Sequence, residues 1–303
     1  MIGILQNKEL NAQRMTAIAQ WHWERVQDSI KSTRAKTDSG QAVKDLLEAI
    51  KPYSLEDIVK ADFKTLMEYK NSFPHEKIKQ FEALKSTTIN EAEKPKKGEH
   101  LLVIVYEKYR TKYGRELVEQ LGLSVCPYCN RNYINNVEDY ATAQFDHFLP
   151  KSQYPIFALS LYNLIPCCTT CNHIKGDKQI DVSPYDHSVT TDKLIHFNYV
   201  LKEMEKYEIL IDTPTLAMDS NVRVLQLKSA YQYHAKMVKE LQAKKDAMHN
   251  ANLDSMKKIF DDYAPGMDMT FEEFFYGNYL SEDKYYMRSL AKFTHDIIDD
   301  IES

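Results

Sequence analysis

Glycine is scarce in this chain, at 8 residues in 303. No G-x-G-x-x-G and no G-K-[ST] occurs, which excludes the glycine-rich turns that cradle dinucleotides and nucleoside triphosphates. Long apolar runs are missing as well. Nothing approaches the ~20 residues of a membrane span, and Met1–Leu5 leads into an amphipathic stretch over 11–27 without a signal-peptide core. The expected location is the cytoplasm. An excess of positive charge is absent: 39 Lys+Arg stand against 44 Asp+Glu, a formal net charge of −5. That balance speaks against a protein that coats nucleic acid nonspecifically. What remains, 43% apolar and 27% charged residues with 20 Tyr and 11 Met, is the composition of an ordinary globular chain leaning toward helix. Cysteine is sparse but grouped, all five lying between Cys126 and Cys171. In a reducing compartment such a group reads as metal ligands before disulfides.

Three regions are expected: a helical one over 1–121, a compact one over 122–190 and a mostly helical one over 191–303. Apolar residues recur at helical spacing in Leu10–Val26 and Val43–Ile50. Ser54-Leu55-Glu56-Asp57 has the form of a capping box. Breaks are expected at Ser72-Phe73-Pro74 and Lys94–Gly98, followed by a long helix from Leu101 to Gly122. Beyond Pro184, Leu194–Val200 and Tyr207–Ile211 read as a strand pair or, alternatively, as helix fragments. Long helices are then expected over Val222–Tyr263, Phe271–Leu280 and Glu282–Ile301, with a break at Pro265-Gly266. The Tyr and Phe residues of 271–293 fall at core spacing.

The middle region carries the chemistry. Cys126-Pro127-Tyr128-Cys129 and Cys168-Thr169-Thr170-Cys171 form two C-x2-C pairs. Each such turn sets two sulfurs on one side of a metal, and four thiolates suit the tetrahedral preference of Zn²⁺. Cys167 is the odd thiol, a buried small residue or a rival to Cys168. Between and after the pairs stand Asp146-His147, Asn163 and Asn172, in a fixed order with the cysteines.

That order, Cys-x2-Cys, Asp-His, Asn, Cys-x2-Cys-Asn-x2-Lys, resembles the HNH endonucleases of the ββα-metal fold, in their zinc-bearing branch. The stretch Asp146–Pro155 with Tyr162–Pro166 is similar to HNH proteins of bacterial anti-phage loci, such as the HNH subunit of Septu systems, which works beside an ATPase. The resemblance covers 50–65 residues. It implies a small central α+β nuclease module of treble-clef-like zinc architecture, which with the helical flanks read above makes a mainly α protein. It also implies roles. His147 would be the general base. Asp146 and Asn172 would hold a catalytic Mg²⁺ or Mn²⁺ through oxygen atoms, His173 being a rival to Asn172. Asn163 would brace the loop carrying the base. Lys175, one turn beyond Asn172, would contact phosphate. Asp146 and His147 are neighbours, and neighbours on a regular strand face opposite ways. A strand end or bulge is therefore expected there, with Phe148-Leu149-Pro150 leaving the ladder.

Charge is unevenly spread. Residues 116–190 carry four basic and eight acidic side chains, whereas 94–115 and 223–258 are each formally +5 and 261–303 is −8. DNA, most simply double-stranded, would then be gripped by the helical flanks, with Lys108, Arg110, Lys112, Arg115 and Lys151 as candidate phosphate contacts. The plainer reading of these runs is a solvated helix face. Cutting both strands would require two modules, hence a homo-oligomer or larger assembly. The remaining histidines, His22 among them, have no partner pattern and read as structural. A non-catalytic zinc-knuckle scaffold is the competing reading, and an effector switched on by an ATPase partner is compatible with the first.

Overall fold

The computed structural model of the protein describes residues 1–34, 40–75, 100–138, 140–186, 188, 190–203, 206–250, 253–263, 266–267 and 269–302. The Lys94–Gly98 break, with Lys94, Lys96 and Lys97, lies outside the described residues, as does Pro265.

The N-terminal region builds two long helices against each other. In Ala12–Arg34, Met15, Ile18, Ala19, His22 and Val26 recur every three or four residues and are buried. This stripe packs on the helix Leu101–Leu121, whose Val105, Tyr106, Tyr109, Tyr113 and Leu117 are buried in turn. Shorter helices Gly40–Ala49, Leu55–Lys60 and Phe63–Ser72 lie between them in sequence. Ser54 and Asp57 form the reciprocal capping box, with the Asp57 N–H donating to the Ser54 hydroxyl at 3.1 Å and the Ser54 N–H to the Asp57 carboxylate at 2.8 Å. Gly122 ends the long helix at φ +61°, a left-handed conformation open to glycine, and its N–H reaches back to the Val118 and Glu119 carbonyls.

The middle of the chain is a small β/α unit. β1 (Asn136–Val137) and β2 (Tyr140–Ala141) form a short ladder. β3 (Ala143–His147) pairs antiparallel with β4 (Leu164–Cys168), and the seven-residue helix Thr169–Lys175 follows directly. Further on, β5 (His196–Glu203) and β6 (Lys206–Asp212) form an antiparallel hairpin, which decides between strands and helix fragments at that place.

The expected Val222–Tyr263 helix is instead four: Leu216–Val224, Leu227–Gln232, Ala235–Asn250 and Leu253–Tyr263. Gln226 sits at φ +53°, which no continuous right-handed helix allows. The expected Glu282–Ile301 helix likewise begins only at Ala291, after Leu290 at φ +61°. Glu282–Lys284 is a single 3₁₀ turn, and the helix before it stops at Tyr276. Of the aromatics in 271–293, Phe271, Tyr276, Tyr285 and Phe293 are buried, while Phe274 is exposed. One contiguous apolar core runs through all three sequence regions.

His22 lies in this core as a bridge between helix and loop. Its Nε2–H donates to the Leu159 carbonyl at 2.8 Å, so Nδ1 accepts from the Tyr109 hydroxyl at 2.6 Å. Burial lowers its pKa from the usual 6.5 to about 4. The folded protein thus resists a proton that the unfolded chain takes up below pH 6.5, and stability falls with pH through the window from 6.5 down to 4. Urea unfolding at pH 5 should show a loss of about 2 kcal/mol relative to pH 7 from this residue. His22→Gln should be less stable at pH 7 yet show a shallower slope; an unchanged slope would remove His22 as its source.

Candidate metal centre and active site

The turn at Cys126–Cys129 is closed by the Asn130 N–H donating to the Cys126 carbonyl at 2.7 Å, with Asn130 at φ +49°, a conformation asparagine tolerates. The Asn130 side chain anchors that turn to the C-terminal region. It donates to the Tyr285 carbonyl at 2.9 Å and accepts the Lys292 N–H at 3.1 Å. The second pair straddles the junction of β4 and its helix, where the Cys168 sulfur caps the helix by accepting the Cys171 N–H.

The sulfurs of Cys126, Cys129, Cys168 and Cys171 lie within 4.8 Å of one another and are all buried. Cys129 and Cys168 are 4.0 Å apart, far from a disulfide bond. Zinc–sulfur bonds of about 2.3 Å in a tetrahedron set sulfurs about 3.8 Å apart, so the donor set fits a structural zinc ion. Burial pushes the Cys126 thiol well above its ordinary range, while hydrogen bonds from Cys126, Cys129 and Cys171 drive Cys168 far below it. Cys167 is also buried but stands outside the cluster, as strand alternation requires for the neighbour of Cys168.

β3 divides the remaining residues between its two faces. Its register runs without a bulge to His147, opposite Leu164, and the strand ends there. Asp146 and His147 consequently leave the strand on opposite sides. On one side, Phe145 packs against Gly114 of the Leu101–Leu121 helix, where a Cβ would meet its ring at 3.3 Å. His147 lies on this side with its ring edge-on to Tyr106 at 4.5 Å. Its Nε2–H donates to the Ala158 carbonyl at 3.0 Å, which leaves the Nδ1 lone pair as the basic position. Burial is the main force lowering its pKa to about 3, so the imidazole is neutral throughout the physiological range.

On the other side, Gln144 and Asp146 face the helix Thr169–Lys175. The Asn172 amide donates to Gln144 Oε1 at 2.6 Å, leaving the amide oxygen of Asn172 for another partner. Asp146 is 4% exposed, and both its oxygens are engaged. Tyr128, between the first two cysteines, donates its hydroxyl to Oδ2 at 2.6 Å, and Lys175 Nζ donates to Oδ1 at 3.0 Å. Burial pushes the Asp146 carboxyl up, against the pull of Lys175 and Tyr128.

Asn163 is wholly buried and binds backbone only. Its amide oxygen accepts the Leu149 N–H at 2.6 Å, and its amide group donates to the Leu149 and Phe157 carbonyls. It therefore ties together the two ends of the loop that presents Ala158 to His147. His173 is exposed and outside the cluster.

Lys175 does not reach solvent. It is fully buried, with Nζ on Asp146 and on the His147 carbonyl at 2.9 Å, so the phosphate contact expected of it is replaced by an internal ion pair. Nor do the other basic candidates line up as one stripe. Lys151 and Arg110 both pair with Glu107, at 2.6 and 3.1 Å. Lys112 pairs with Asp28 on the first long helix, and Arg115 donates to the Glu138 carbonyl. Lys108 is half-buried and interacts within the protein.

Against known proteins, residues 126–178 match the model of the family described as HNH endonuclease. No curated protein and no solved structure matches the chain. The chain therefore carries an HNH domain, set in a mostly helical protein with the β-hairpin-and-helix arrangement of the ββα-metal fold and a four-cysteine cluster.

The purified protein should hold about one zinc per chain. Cys126→Ser should lose it together with folded structure, measured by metal analysis and circular dichroism. Cys167→Ser should keep it; loss of zinc from that variant would place Cys167 among the ligands.

Proposed function

We propose that this protein is a divalent-metal-dependent endonuclease that hydrolyses phosphodiester bonds of DNA. The observation that carries the reading is the placement of His147. At the last position of β3 a buried imidazole has one nitrogen tied to a carbonyl and the other left as a base, next in sequence to the Asp146 carboxylate. Nδ1 takes a proton from water, and the water oxygen attacks phosphorus as the bond to the 3′ oxygen breaks. The released 3′ oxygen is protonated, leaving a 3′-hydroxyl and a 5′-phosphate.

Asp146 and Asn172 would hold Mg²⁺ or Mn²⁺, which suits their oxygen donors. Bound there, the ion supplies stabilisation of the charge on the phosphate and leaving oxygens. Gln144 turns the Asn172 amide, Tyr128 orients Asp146, and Asn163 holds the loop that orients His147. Glu107, Arg110 and Lys151 lie beside Tyr106 on the His147 side, where Lys151 can exchange its carboxylate for a phosphate. On the resemblance of residues 146–155 and 162–166, the biological setting proposed is bacterial anti-phage defence in the cytoplasm, with an ATPase partner.

One observation favours a conditional form of this activity. His147 and Asp146 are 6% and 4% exposed, so substrate reaches them only when the surrounding loops yield. An effector opened by its partner meets that requirement. Among the described residues, no helix is long and apolar enough to cross a membrane.

Supercoiled plasmid with Mg²⁺ or Mn²⁺ should be nicked by the protein and not by His147→Ala, with a loss of at least ~10²-fold for removal of a general base. Equal cutting by the variant would reject the assignment. The rim makes a separate prediction. Lys151→Glu should weaken DNA binding and flatten its salt dependence by about one phosphate contact, measured by fluorescence anisotropy across a salt series.

A further inference from the structure

Lys175 is a charged side chain with no exposed surface, and the proposed phosphate hydrolysis gives it no direct role. Its ammonium finds three acceptors inside the protein: Asp146 Oδ1 at 3.0 Å, the His147 carbonyl at 2.9 Å and, at 3.5 Å, the Gly176 carbonyl. The carboxylate it neutralises is the one proposed to receive the divalent cation. Charge there already sums to zero, because Asn172 contributes oxygen but no charge and the Tyr128 hydroxyl is neutral. Zinc would offset two of the four thiolate charges, and the N–H groups of Asn132 and Arg131, at 3.2 and 3.4 Å from the Cys168 and Cys129 sulfurs, share the remainder. From that cluster it is the Tyr128 hydroxyl, not a sulfur, that reaches Asp146.

A dication entering this site would meet one carboxylate and a fixed ammonium on that same carboxylate. Like charges that close disfavour each other strongly away from water. Mg²⁺ is ordinarily held by one or two carboxylates together with substrate phosphates. Here the one carboxylate is already shared with Lys175, and a substrate phosphate is the further anionic ligand that would reach the ion directly.

We infer that Lys175 makes divalent-cation binding at Asp146 and Asn172 conditional on a phosphodiester. Without nucleic acid the ammonium balances the carboxylate and the cation is held weakly. With nucleic acid the phosphate supplies the balancing charge, and cation and substrate bind together. This rests on the nuclease reading above. It assigns Lys175 as a positioning residue that gates the metal instead of gripping DNA.

The test measures Mn²⁺ binding by the electron paramagnetic resonance of free Mn²⁺, on the zinc-loaded full chain in the His147→Ala background, with and without a short DNA duplex. The duplex should tighten Mn²⁺ binding by at least about tenfold, and Mn²⁺ should tighten duplex binding by the same factor, as linkage demands. Lys175→Met should bind Mn²⁺ more tightly without DNA and reduce the coupling to about threefold or less. Lys175→Arg, which keeps the charge, should retain it. Should Lys175→Met fail to fold by zinc content, Lys175→Gln replaces it. Equal Mn²⁺ affinity with and without duplex overturns the inference, as does full coupling in the uncharged variant. A protein that nicks DNA with Mn²⁺ but shows no coupling loses only this inference. A protein that neither nicks DNA nor binds Mn²⁺ with duplex loses the nuclease reading and this inference together.

Discussion

Four buried thiols within 4.8 Å of one another are the constraint on which the module depends. They join a turn at residues 126–129 to the start of a helix at 168–171, across 38 residues of intervening chain. Without a cation, four sulfurs in that space would either repel as thiolates or remain as poorly hydrogen-bonded thiols. A metal turns the same crowding into binding free energy, which in such sites is folding free energy. The connection reaches past the cysteines. Tyr128 extends from inside the first turn to Asp146, and Asn130, just after it, fastens the turn to Tyr285 and Lys292. The cluster is thus the joint between the module and the C-terminal region, and through Tyr128 it also holds the Asp146 carboxylate of the candidate site.

The second organising fact is the alternation of β3. A strand five residues long offers two faces, and this one uses them for different chemistry. Phe145 and His147 turn toward the Leu101–Leu121 helix, an aromatic surface that keeps an imidazole neutral. Gln144 and Asp146 turn toward the Thr169–Lys175 helix, a polar surface of amide and ammonium. Each environment suits its occupant: burial beside Tyr106 lowers the pKa of His147, and Lys175 offsets the cost of burying Asp146. Breaking that buried pair by removing one partner would cost on the order of 3–5 kcal/mol. Lys175 therefore stabilises the fold as well as acting electrostatically on the site.

Much of this was legible in the residues. The two C-x2-C pairs named the thiol cluster because a four-ligand metal site needs little more than spacing, whereas Cys167 stayed open as a buried residue or a rival to Cys168 until the strand Leu164–Cys168 set it on the other face. Helix starts and stops were readable where a local group decides them, as at Ser54 with Asp57 and at Gly122. The helices of the C-terminal region were not. Gln226 and Leu290 adopt positive φ without being glycine, so no residue type marks either break. Leu290 donates its N–H to the Asn130 carbonyl at 2.6 Å, so the knuckle fixes where the last helix begins. The direction of Lys175 was hidden for a related reason. Spacing put it on the face of Asn172, but whether a lysine on that face points to solvent or inward depends on what lies across from it, and here a carboxylate does.

The same point changes how the charge of the chain should be read. Counting segments suggested that 94–115 offers a positive surface, yet in the described part of it Arg110 and Lys112 pair with acidic side chains and Arg115 leans on a backbone carbonyl. Lys151, from the module itself, joins Arg110 on Glu107. Pairing does not abolish a role in binding, because an exposed ion pair is worth little and is readily exchanged for a stronger anion. It does convert a standing attraction into one that appears only on contact. Such a surface gives weak long-range steering toward DNA, in keeping with the overall negative charge. On the proposed reading, recognition would rest on short-range exchange: Lys151 released from Glu107 by a phosphate at the rim, and the cation admitted beside Lys175 by a phosphate within. Both exchanges would need the nucleic acid already in place, so the proposed nuclease would stay idle until substrate is delivered to it.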